Sequence, residues 1–81
     1  MNKENEVRNT VLKLKSNPMI SEIEVCNSDE CVGINEDQLY VTITHHVDLM
    51  NNPIYKELCD LAVIESCDTI EDENLETQLV I

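Results

Sequence analysis

The 81 residues include no Trp, no Phe, one Gly, two Pro and two Tyr, and only five Lys or Arg. Each scarcity excludes something. With Tyr40 and Tyr55 alone, there is little on which nucleic-acid bases could stack. One glycine, Gly33, cannot build a glycine-rich phosphate loop. No run of 18 apolar residues is present, so no transmembrane helix is expected. The opening residues lack the basic, apolar, small-residue order of a secretory signal, so a reducing cytoplasm is expected. The few cations stand against seventeen Asp and Glu, a net charge of -12, and a surface so negative repels phosphate. Direct nucleic-acid binding and membrane association are therefore not expected. Hydrophobic residues still make up 42% of the chain, too many for simple disorder, and a single domain over residues 1–81 is the expectation.

What is present is an uneven charge distribution. Lys3, Arg8, Lys13 and Lys15 lie in the first fifteen residues with Glu4 and Glu6, and Lys56 is the one cation after them. Glu57, Asp60, Glu65, Asp68, Glu71, Asp72, Glu73 and Glu76 follow Lys56 with no balancing charge. Self-repulsion of this size costs a small domain stability it can ill spare. Solubility is served by a net charge of magnitude roughly 2–8. The excess suggests a negative field that steers a partner of opposite sign, and basic protein surfaces are often nucleic-acid channels.

Residues 3–15 read as an amphipathic helix, with Val7, Val11 and Leu14 on one face. Ser16, Asn17 and Pro18 stop it, because proline disfavours helical geometry in the residue before it. Residues 19–26 read as a strand, with Ser21, Ile23 and Val25 on one face and Glu22 and Glu24 on the other. A polar turn at Asn27, Ser28, Asp29 and Glu30, a short strand over 31–34, and a second polar turn at Asn35, Glu36, Asp37 and Gln38 follow. Residues 39–47 alternate Leu39, Val41, Ile43, His45 and Val47 with Tyr40, Thr42, Thr44 and His46, the clearest strand in the chain. Asn52 and Pro53 make a helix start, as N-cap and first helical residue. Ile54, Leu58, Leu61 and Ala62 continue at helical spacing, and Asp68 and Glu71 have capping-box spacing, so residues 68–76 read as a short acidic helix, with a final strand over residues 77–81 as the alternative. The expected fold is α+β: an N-terminal helix, a three-stranded antiparallel meander, one long helix packed on it, and a short acidic C-terminal helix or strand.

Were residues 53–76 largely helical, Glu65, Asp68, Asp72 and Glu76 would form one stripe with neighbours about 6 Å apart. That pitch is of the order of the phosphate repeat along a nucleic-acid strand, so the stripe could occupy a groove shaped for phosphates. An ordinary solvated face is the alternative. Asp29 with Glu30, and Glu36 with Asp37, offer a second acidic patch at one sheet edge.

Four cysteines and two histidines raise a metal site. Cys26 and Cys31 are loosely spaced for zinc, and Cys59 and Cys67 lie two helical turns apart in this reading. His45 and His46, adjacent on a strand, point to opposite faces and cannot chelate together. The cysteines therefore read as free thiols and His45 as a satisfied core residue. No nucleophile–base pairing, divergent carboxylate pair or cofactor motif is present, so no catalytic residue, metal or cofactor is assigned.

A short α+β chain with acidic turns and a cation-free acidic second half resembles the small inhibitors encoded by phages and mobile elements, including many anti-CRISPR proteins and nucleic-acid mimics. The resemblance lies in the overall profile and carries no motif residue by residue. It implies a non-enzymatic inhibitor in the cytoplasm of a bacterial host, whose target holds DNA or guide RNA in a basic cleft. The residues expected to bind that partner are Glu65, Asp68, Glu71, Asp72, Glu73 and Glu76, with Asp29, Glu30, Glu36 and Asp37 as the second patch. The alternative is a small acidic housekeeping interaction module, for which a homodimer would dock the basic first helix of one copy on an acidic face of the other.

Overall fold

The computed structural model describes residues 3–81. Its elements run α1 (Lys3–Lys15), β1 (Ile20–Asn27), β2 (Leu39–His46), a 3-10 turn (Val47–Asn51), α2 (Pro53–Asp60), β3 (Ile64–Glu71) and β4 (Asn74–Val80). The α+β class agrees with the sequence, but the arrangement does not. The sheet has four antiparallel strands in the order β1-β2-β4-β3, rather than three in a meander.

α1 forms where expected. Glu4 and Glu6 occupy its first turn and Lys13 and Lys15 its last, which complements the helix dipole. Val7, Thr10, Val11 and Leu14 are its buried stripe. It closes at Asn17, whose N–H donates to Leu14 O at 2.8 Å and whose side chain accepts from Met19 N at 2.9 Å. α2 begins at the anticipated cap: Asn52 Oδ1 accepts from Ile54 N at 2.8 Å and Tyr55 N at 3.3 Å, with Pro53 following.

Three expectations fail. The short strand over 31–34 is part of an irregular loop joining β1 to β2, where Gly33 takes φ 98°, a conformation that suits a residue without Cβ. The long helix stops after two turns, at Asp60. Beyond it Val63, Ile64, Thr69 and Ile70 are β-branched, and a helix would stack Glu65, Asp68, Glu71 and Asp72 as like charges three and four residues apart. The acidic C-terminal helix over 68–76 is absent for the same reason. Residues 64–80 form a hairpin instead, turning at Asp72 and Glu73, with a register shift beside Ile70. The alternative of a final strand over 77–81 is the one that forms, with its bounds shifted to Asn74–Val80.

β4 lies between β2 and β3, and Leu39 and Ile81 exchange two backbone hydrogen bonds at 2.9 Å that close its far end. The inner face of the sheet carries Val41, Ile43, His45, Thr77 and Leu79, and α1 and α2 cover it with Val7, Val11, Leu14, Tyr55 and Leu58. The helical layer covers only part of the sheet: every residue of β3 is exposed. Among the described residues no element covers the other face of the sheet. Among the described residues no helix is long and apolar enough to cross a membrane.

Candidate functional site: the uncovered face of the sheet

Strand alternation and pairing register fix what the uncovered face displays. Glu22 pairs with Thr44, Thr44 with Glu76 and Glu76 with Asp68, so these four form one row across all strands. The next row is Glu24, Thr42, Gln78 and Ser66, and the one beyond it Cys26, Tyr40, Val80 and Ile64. Neighbouring strands are about 4.8 Å apart and successive rows about 6.7 Å, so Glu22, Glu24, Asp68 and Glu76 share a surface some 14 Å wide. Asp68 and Glu76 are directly opposite, an arrangement that like charges disfavour. Gln78 Nε2 donates to Glu76 Oε1 at 2.8 Å and holds that carboxylate in place.

The cations lie elsewhere. Lys3, Arg8, Lys13 and Lys15 belong to α1 and Lys56 to α2, both on the opposite side of the sheet. Among the described residues the chain is therefore polarised, with every Lys and Arg in the helical layer and only Lys15 reaching the rim of the uncovered face, where it lines a groove with Glu22 and Glu24. Arg8 is further engaged by acids, with Nε 2.8 Å from Glu4 Oε2 on α1 and Nη2 3.9 Å from Glu30 Oε1 in the loop between β1 and β2.

The ten acids singled out from the sequence do not form one patch. Asp68 and Glu76 come together on the uncovered face, although as cross-strand partners rather than helical neighbours. Glu65 pairs with Leu79 and so lies on the helix-facing side of β3, apart from them. Glu71, Asp72 and Glu73 form the β3–β4 turn. Asp29, Glu30, Glu36 and Asp37 lie in the β1–β2 loop at the diagonally opposite corner of the sheet. Two of them, Glu36 and Asp37, line a solvent-open groove of about 270 Å³ together with Lys3. That corner is thus partly compensated by α1, as is the β1 edge of the uncovered face by Lys15, while Asp68 and Glu76 face no Lys or Arg among the described residues. Sequence reasoning missed Glu22 and Glu24 as site residues. Their alternation with Ile23 and Val25 placed them on the wet face, but only the β1–β2–β4–β3 order aligns them with Glu76 and Asp68.

His46 bridges the turn and the 3-10 segment. Its Nδ1 accepts from Asp48 N at 3.1 Å, which leaves Nε2–H to donate to Glu73 Oε2 at 2.9 Å. His45 is fully buried, with Nδ1 2.8 Å from His46 O and Nε2 2.7 Å from Thr77 Oγ1. A carbonyl only accepts, so Nδ1 carries the proton and Nε2 takes the Thr77 hydroxyl proton. Tyr55 OH, 2.9 Å from Thr77 Oγ1, then donates to that oxygen, and Cys67 Sγ lies 3.6 Å from it. Burial pushes the Tyr55 phenol well above its usual range and raises the Cys59 thiol. The Cys31 thiol rises to about 11, chiefly through a hydrogen bond with Cys26, then through desolvation and the nearby Glu30 and Glu24 charges.

His45 is sealed from solvent, and the thiols with raised pKa are weak nucleophiles at neutral pH. All four cysteines are free thiols, and among the described residues no three His, Cys, Asp or Glu side chains are arranged to hold a metal ion. The chemistry the uncovered face offers is electrostatic: carboxylates displayed on a pleated plane, Glu76 held by Gln78. No protein-family model, curated protein or solved structure matches this chain.

Proposed function

We propose that this chain is a non-enzymatic inhibitor acting in the bacterial cytoplasm. Its uncovered sheet face, continued by the Glu71–Asp72–Glu73 turn, presses into a basic nucleic-acid cleft of another protein and keeps DNA or RNA out. A bacterial defence complex of the CRISPR type is the target class. The observation that carries the proposal is the polarity of the charge: Glu22, Glu24, Asp68 and Glu76 share a face to which, among the described residues, no Lys or Arg belongs, and the one cation that reaches its rim is Lys15 of α1, at the β1 edge beside Glu22 and Glu24. Close, like-signed carboxylates on a rigid sheet produce a field that steers a cationic surface toward them and accelerates encounter. Glu22 and Glu24, in successive rows of β1, stand about 6.7 Å apart, of the order of the phosphate repeat, while Asp68 and Glu76 are closer, about one strand spacing apart.

The test is capture from a bacterial lysate at low salt, followed by challenge with duplex DNA. The expected result is that captured proteins bind nucleic acid, that DNA and the chain displace each other, and that E24K/E76K abolishes capture. E57K/D60K, which reverses the same number of charges on α2, should retain it. Equal loss in both variants, or captured proteins without nucleic-acid affinity, would overturn the proposal.

The same polarity favours a second reading, in which the cationic α1 of one copy rests on the anionic face of the next. Such head-to-tail contacts do not close on themselves. They would appear as assemblies at low salt that dissolve as salt rises.

A further inference from the structure

We infer that β3 is an acceptor edge, on which an extended basic segment of the partner pairs as a fifth strand with Lys or Arg side chains over Asp68 and Glu76. This rests on the proposed function and adds how the partner is held. β3 is the last strand on its side of the sheet, and among the described residues no backbone hydrogen bond reaches its outer edge. All eight of its residues are exposed. Edge strands are usually blunted by lysine, proline or a covering element. β3 has none of these; its only devices are the register shift beside Ile70 and the carboxylates of Glu65, Asp68 and Glu71. Those carboxylates repel an acidic or neutral neighbour and attract a basic one. Val63, Ile64 and Ile70 are 70%, 61% and 49% exposed and offer apolar anchors at both ends of the strand. Backbone pairing with alternate side-chain contacts is the general mode of strand addition.

Charge selects the occupant. A second copy could pair β3 with β3 antiparallel about Cys67, aligning Ile64 with Ile70 of the other chain. That register brings the two Asp68 carboxylates to diagonal positions about 7–8 Å apart, each beside its own Glu76, between chains of net charge -12. A basic segment gains the same backbone bonds and relieves this repulsion. The other edge, β1, is not equivalent: Lys15 lines the groove along Ile20, Ser21, Glu22, Ile23 and Glu24 and puts a cation beside that strand.

The probe is an eight-residue peptide of alternating lysine and valine, added at low salt to the full chain while amide hydrogen exchange is followed by NMR. The expected result is slowing of alternate amides over residues 64–71 by about tenfold or more, and a loss of affinity of about tenfold or more in D68K. A lysine–proline peptide has the same charge but cannot enter the ladder, and should give no slowing. Equal binding of both peptides without slowing would show that charge alone captures them; strand addition would fall and the proposed function would stand. Absence of binding by either peptide would also overturn the inference. So would slowing over 64–71 that appears without peptide and grows with protein concentration, because the occupant would then be a second copy.

Discussion

Thr77 is where the polar side chains of the core meet. Its hydroxyl satisfies His45 and accepts from Tyr55, so removing it leaves the fully buried His45 Nε2 without a partner and leaves the Tyr55 hydroxyl with the Cys59 thiol alone. T77V should therefore destabilise the fold by about 2–4 kcal/mol, whereas Y55F, which removes a donor and strands little, should cost about 1 kcal/mol. Urea unfolding of the two variants measures the difference, and equal costs would contradict the proton assignment. The raised thiols and phenol make a second prediction. Each keeps its proton more tightly when folded than when unfolded, so the native chain binds more protons and stability falls as pH rises. The melting temperature should begin to fall as the unfolded thiols ionise near pH 9, fall on through pH 11, and do so less steeply in Y55F. A melting temperature constant over that interval would contradict it. At this scale the sequence was partly legible. Alternation along residues 39–47 puts His45 inward, but its partner Thr77 is 32 residues away, and no local pattern names a partner across a sheet.

Elements with local signals were readable and those set by pairing were not. α1 carries its stripe, its charge order and its proline stop within one segment, and the Asn52–Pro53 cap announces α2 by itself. N52A should remove that cap at a cost of about 1 kcal/mol, a melting-temperature drop of about 4–8 °C. An unchanged value would mean the tertiary packing of Tyr55 and Leu58 fixes α2 without it. β3 and β4 were misread because Leu58, Leu61 and Ala62 extend helical spacing past the true end of α2. β4 also mixes Glu76 and Gln78 with Thr77 and Leu79, as a strand wet on one face must. The pairing of Asp68 with Glu76 gives a prediction peculiar to the hairpin. D68K converts a like pair into an opposite one, so it should raise stability by about 0.5–1 kcal/mol while weakening partner binding. A variant more stable and less active is the mark of a residue kept for binding. A drop in stability would show that the two carboxylates do not feel one another.

Across the whole molecule the decisive quantity is separation of charge. From the sequence, the excess of acid and its position after Lys56 were plain, but the face it occupies was not, because a two-layer fold decides which segments lie back to back. The expected single stripe is instead an uncovered sheet plane flanked by two acidic corners, one of them compensated by α1. Salt should stabilise the isolated chain, since it screens repulsion among the carboxylates of that plane. From about 0.02 to 0.5 M salt a gain of about 1 kcal/mol, near 4–8 °C, is expected by calorimetry. No gain would mean the charges are too dispersed to act as one field. The most direct measurement of the central claim compares two double reversals of equal charge, E24K/E76K on the sheet face and E57K/D60K on α2, for their power to displace DNA from the captured target. The account predicts that the sheet-face pair loses displacement by about a hundredfold while the helix pair stays near the parent chain. Equal behaviour of the two would show that net charge, and not the uncovered face, is what the partner recognises.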